Sequence, residues 1–136
     1  MQICQMFARQ RPVFSLEVFP PKKETSLDGI YRTLGELAAL QPDYVSVTYG
    51  AAGTAAGLTC EIAAHLRRDL GIEPLAHLTC VNSSRAQVES VLARLGAEQV
   101  ENILALRGDR VPGAPEQGDF AHADELMRFI ADRGAF

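Results

Sequence analysis

Four times along this chain a short apolar stretch with strand spacing is followed by a longer one with helical spacing, and few folds accommodate that alternation. Val13 to Phe19 reads as a strand and stops at Pro20-Pro21, because proline brings no N–H to a ladder. Ser26 is a candidate N-cap for a helix in which Leu27, Ile30, Leu34, Leu37 and Ala38 recur at helical spacing. Tyr44 to Thr48 is the second strand, and it runs into a loop containing Gly50, Gly53 and Gly57. The next helix carries Ile62, Ala63, Leu66 and Leu70 and is closed by Gly71. Leu75 to Val81 is the third strand; Asn82, Ser83 or Ser84 can cap a helix with Val88, Val91, Leu92 and Leu95 on its apolar face and Gly96 at its end. Asn102 to Leu106 is the fourth strand, ending in Arg107-Gly108-Asp109, and a loop with Pro112, Gly113, Pro115 and Gly118 follows. The last helix, Ala123 to Asp132, turns Leu126, Phe129 and Ile130 inward and has Gly134 past its end. Strand-helix units of about thirty residues imply a parallel α/β sheet with right-handed crossovers. Four in a row are half of a (βα)8 barrel or a small doubly wound sheet. No linker composition interrupts them, so residues 1–136 read as one domain.

The strands are unusual for a parallel sheet, whose strands normally read as continuous apolar runs. Ser15 and Glu17 alternate with Phe14, Leu16 and Val18; Ser46 and Thr48 with Val45 and Val47; His77 and Thr79 with Ala76, Leu78 and Cys80. Side chains two apart share a face, so each of these three strands has an apolar face for the helices and a polar face that should line a closed or curved sheet. A carboxylate at Glu17 inside such a sheet costs several kcal/mol unless it is paired or wet. Glu17, Thr48, His77 and Asp109 fall at or near the C-terminal ends of successive strands, where α/β folds place their chemistry.

Other function classes find little support. The charges, net −4, are interspersed without a basic stripe, which argues against a nucleic-acid partner. The apolar runs are too short for a membrane span and the first residues lack a signal-peptide core, so a cytoplasmic protein is expected. Cys4, Cys60 and Cys80 are widely spaced and odd in number, fitting buried thiols better than a disulfide framework or a zinc site. Gly50, Gly53 and Gly57 do not match the dinucleotide-binding fingerprint, and no metal-ligand cluster or nucleophile elbow is present. Arg107 could fork to a phosphate, and Asp109 could hold a hydroxyl or stabilise a cation.

Taken together, the strand ends resemble one family. Ser15-Leu16-Glu17-Val18-Phe19-Pro20-Pro21-Lys22, Val45-Ser46-Val47-Thr48-Tyr49-Gly50, Ala76-His77-Leu78-Thr79-Cys80 and Asn102-Ile103-Leu104-Ala105-Leu106-Arg107-Gly108-Asp109 resemble, in order, four motifs of methylenetetrahydrofolate reductases. Departures are small: Leu16 and Val18 stand where the family often has Phe, Ala52 lies in the glycine loop, and Arg110-Val111 precede Pro112-Gly113.

The resemblance implies a (βα)8 TIM barrel with FAD at the C-terminal strand ends, reduced by NADH or NADPH and reoxidised by 5,10-methylenetetrahydrofolate to give 5-methyltetrahydrofolate. It implies that Glu17 is the general acid that helps open the methylene bridge to an iminium. Asp109 is implied as a carboxylate near the flavin, both catalytic and cofactor-binding. Thr48, His77, Leu106, Arg107 and Gly108 are implied as further FAD contacts. A full barrel needs about 250 residues, so this chain is expected to hold the N-terminal half. Open strand edges then make a homo-oligomer expected. The alternative reading is a non-catalytic half-barrel that self-associates or complements another chain.

Overall fold

The computed structural model describes residues 1–9, 11–21, 26–49, 56–109, 118–134 and 136. After a short 3-10 turn at Ile3–Gln5, strands and helices alternate: β1 (Ser15–Val18), α1 (Asp28–Ala38), β2 (Tyr44–Val47), α2 (Ala56–Arg68), β3 (Glu73–Thr79), α3 (Arg85–Ala97), β4 (Ile103–Leu106) and α4 (Ala123–Ala131). The four strands pair in parallel in the order β1-β2-β3-β4. A doubly wound sheet reverses its order and divides its helices between two faces. Here the order never reverses, so right-handed crossovers return every helix to the same face.

The register decides which side chains share that face. Val18, Val47 and Ala76 lie in one row, as do Leu16 and Val45 in the row below. Val18, Val45 and Val47 pack with Leu34 of α1 and with Ile62 and Leu66 of α2. Ala76 packs with Cys60 and Ala63 of α2 and Leu95 of α3. Leu78 and Cys80 pack with Val88 and Leu92 of α3 and with Leu126, Phe129 and Ile130 of α4. Each fully buried Leu or Ile here contributes roughly 1.5–3 kcal/mol by leaving water. The opposite face carries Glu17, Ser46, Leu75, His77, Thr79, Leu104 and Leu106, none of which belongs to these apolar clusters.

Helix ends follow local chemistry with small departures from expectation. Ser84 forms a capping box with Gln87: its Oγ accepts from the Gln87 N–H (3.2 Å) and Gln87 Oε1 accepts from the Ser84 N–H (2.8 Å). Ser26 acts one residue early; its Oγ accepts from the Asp28 N–H, while the N-cap position belongs to Leu27. Gly71 takes the left-handed conformation expected of it (φ 65°). Gly96 does not close α3. The helix runs on to Ala97, and Gln99 (φ 57°) takes the left-handed position. The Gln99 N–H then reaches Gly96 O and the Val100 N–H reaches Leu95 O, both at 3.0 Å, which satisfies the last carbonyls.

At the N-terminal ends of the strands lies a polar cluster. Glu73 accepts hydrogen bonds from Arg67 Nη1 (2.8 Å), Asn102 Nδ2 (3.0 Å) and the Met1 amine (2.9 Å). Asn102 Oδ1 accepts from the Ile3 N–H at 2.8 Å. Every strong acceptor buried here is paired, as burial requires. Among the described residues no helix is long and apolar enough to cross a membrane.

Candidate functional site

The C-terminal half of the uncovered face holds the candidate site. Glu17 on β1 lies beside Ser46 on β2 in the register. The Ser46 hydroxyl donates to Glu17 Oε2 at 2.9 Å. From β3, His77 Nε2 stands 3.5 Å from the same oxygen. Three neighbouring strands therefore bring one hydroxyl and one imidazole to a single carboxylate oxygen.

Their environments differ. His77 is only 9% exposed, and its Nε2 has no hydrogen-bond partner among the described residues. Burial holds its imidazole below the ordinary histidine range, and the Glu17 carboxylate pulls the other way. The Glu17 side chain is 49% exposed. This corrects the expectation of a carboxylate enclosed by a curved sheet. β1 is an edge strand and no described element covers that face, so water reaches the carboxylate. The same openness leaves Phe19 70% and Leu104 38% exposed.

The other predicted residues sit at the ends of their own strands. Thr48 follows β2, its N–H donating to Val18 O and its carbonyl accepting from Thr59 Oγ1, both at 3.0 Å. Leu106 ends β4, and the Arg107 carbonyl accepts from the Val81 N–H at 2.7 Å. Gly108 adopts φ 87°, and a Cβ there would lie 2.7 Å from Val81 Cγ1 and 3.1 Å from Thr79 Cβ. Glycine at 108 thus has a reason internal to the fold. Asp109 is exposed at the same end. Glu17 and His77 are brought together; no hydrogen bond or ion pair among the described residues joins Thr48 or residues 106–109 to them. Lys22, Gly50, Ala52, Gly53 and the loop holding Arg110, Val111, Pro112, Gly113 and Pro115 lie outside the described residues.

Two features escape the sequence pattern. Ser46 is legible as a polar residue on the right face, but its pairing with Glu17 depends on inter-strand register. The Glu73–Asn102 cluster joins segments far apart in sequence and leaves no local signal. The cysteines also differ from expectation: Cys60 and Cys80 are buried, whereas Cys4 is exposed. Burial pushes the Cys60 and Cys80 thiols up, away from the reactive thiolate.

A family model described as methylenetetrahydrofolate reductase matches residues 2–135. The chain is 35% identical over 133 residues to a probable methylenetetrahydrofolate reductase (NADH) of Oryza sativa subsp. japonica, an alignment covering 95% of this chain and 22% of the rice protein. It is 33% identical over 124 residues to methylenetetrahydrofolate reductase (NADH) 1 of Arabidopsis thaliana, covering 88% and 21%. It is 31% identical over 124 residues to the 5,10-methylenetetrahydrofolate reductase of Pectobacterium carotovorum subsp. carotovorum, covering 90% and 40%. The chain thus spans 22% of the rice relative's length and 40% of the bacterial one's.

Proposed function

Because the chain belongs to the methylenetetrahydrofolate reductase family, we propose that it supplies one side of a flavin site that reduces 5,10-methylenetetrahydrofolate to 5-methyltetrahydrofolate at the expense of NADH or NADPH. The observation that carries this reading is the buried, unpartnered Nε2 of His77, 3.5 Å from the Glu17 carboxylate on the uncovered face. A buried polar atom without a partner is costly, and among the described residues every other buried side-chain nitrogen or oxygen has one. A polar edge of FAD is a chemically fitting partner for it. The residues that would hold FAD are Thr48, His77, Leu106, Arg107, Gly108 and Asp109. When bound, FAD supplies the two-electron chemistry, accepting hydride from the nicotinamide and passing it to the folate.

The chain's own residues do the rest. Glu17, with one oxygen held by Ser46, is the group that delivers a proton to the folate. Its access to water lets it recover that proton between turnovers. Asp109 places a second carboxylate at the same end of the sheet, where negative charge stabilises a cationic folate. The one-sided, unreversed sheet fits half of an eight-stranded barrel. We further propose that the free edges of β1 and β4 pair with additional strands, from a longer chain or from another copy, and that the protein acts in the cytoplasm.

The test is the visible absorption spectrum of the chain after FAD addition and gel filtration. Flavin should be retained by the wild type and lost in His77→Ala. In the flavin-bound protein, Glu17→Gln should abolish folate reduction and leave flavin reduction by NADH intact. A wild-type chain that emerges colourless would overturn assembly of the site from copies of this chain, and flavin retained equally by wild type and His77→Ala would overturn the role of His77.

A further inference from the structure

Nothing in the family assignment gives Ser46 a role, yet it makes the only hydrogen bond to the Glu17 side chain among the described residues. Ser46 is buried, whereas the carboxylate it holds is half-exposed at the sheet edge. A glutamate in that position has three rotatable bonds and open solvent beside it. Unrestrained, it would sample several rotamers. The Ser46 hydroxyl is delivered to Oε2 by backbone pairing, because Glu17 and Ser46 are register partners. The same oxygen faces His77 Nε2. Oε2 is thus occupied by a donor and flanked by an imidazole, while Oε1 has no partner among the described residues.

We propose that Ser46 is a positioning residue: its hydroxyl pins Glu17 Oε2 against His77, so that the proton Glu17 delivers travels on Oε1. The inference rests on the reading of Glu17 as the proton donor, but the contact itself can be tested without flavin or folate. From the neighbouring strands His77 meets Glu17, whose Oε2 stands 3.5 Å from its Nε2, and Leu104, its register partner on β4, while Ser46 pairs with Leu75 and reaches the imidazole only through the carboxylate it holds. Glu17 is the one charged group among the described residues that acts on the imidazole. The titration of His77 therefore reports where the carboxylate is.

The experiment is a titration of the 15N-labelled chain by NMR, following the His77 ring, in wild type and in Glu17→Gln, Ser46→Ala, Ser46→Cys and Ser46→Thr. Glu17→Gln removes an attractive charge, so the His77 midpoint must fall. Ser46→Ala should lower it in the same direction by at least half as much, because the released carboxylate swings toward water. Ser46→Thr keeps a hydroxyl and should restore the wild-type midpoint. Ser46→Cys, similar in shape with a weaker donor, should fall between; the Thr and Cys pair carries the test if the Ala variant does not fold. A Ser46→Ala or Ser46→Cys midpoint equal to wild type, beside a clear fall in Glu17→Gln, would overturn the positioning role. Failure to bind FAD would leave this result standing, so the two proposals fail separately.

Discussion

Replacing Gly108 by alanine tests the packing of the strand-end loop that carries the Arg107–Asp109 motif. Two costs add. At φ 87° an L side chain sits in the left-handed region, which costs about 1–2 kcal/mol. The new Cβ would also stand 2.7 Å from Val81 Cγ1 and 3.1 Å from Thr79 Cβ, well inside the roughly 3.5–4.0 Å optimum for carbon pairs. The Arg107 carbonyl is tied to the Val81 N–H at 2.7 Å, so the loop cannot retreat without breaking that bond. Relieving such overpacking costs about 1–3 kcal/mol. The sum is a loss of ~2–5 kcal/mol, a large part of a typical stability of about 5–15 kcal/mol. Gly71 and Gly134 are built-in references: both have φ 65°, and neither has an atom within 4 Å of the added Cβ. Their alanine variants should lose only the backbone part, about 1–2 kcal/mol. Urea unfolding followed by far-UV circular dichroism measures all three. If Gly108→Ala is no more destabilised than Gly134→Ala, the close approach of the loop to β3 is wrong.

Two further outcomes follow from the buried polar groups. Asn102→Ala strands the Ile3 N–H and one oxygen of Glu73; at about 1–3 kcal/mol per unsatisfied group, it should cost ~2–6 kcal/mol in the same unfolding assay, and a change under about 0.5 kcal/mol would count against the cluster. For His77 the sign comes from burial, which lowers its folded-state proton affinity: the unfolded chain takes the proton first as pH falls, so stability is full above the ordinary histidine range and declines through it toward the lower folded value. Unfolding free energies measured at about pH 7.5 and about pH 5.5 should differ less in His77→Gln than in wild type; an unchanged slope would remove His77 from the account.

What the amino-acid order settles in this chain is local. Strand period and helix period are properties of neighbouring residues, so the four strand-helix units, the apolar side of the first three strands and a helix cap among Asn82, Ser83 and Ser84 are legible in the sequence. So are the strand-end motifs that carry the family resemblance. Boundaries shift where local signals compete: Gly96 looks like the end of α3, but the helix runs on to Ala97 and Gln99 takes the left-handed position beyond it, with Leu95 and Val100 packed in one core cluster. Strand order and register belong to the tertiary structure, because they are chosen by how whole faces pack. A pattern of alternation is equally consistent with a singly or a doubly wound sheet, and only the packed order β1-β2-β3-β4 separates them. Register likewise decides that Ser46 and His77, 29 and 60 positions along from Glu17, meet its carboxylate. Exposure of Glu17 is not legible in the sequence at all. Burial depends on what covers a face, and the residues that would cover one lie elsewhere in the chain or outside it.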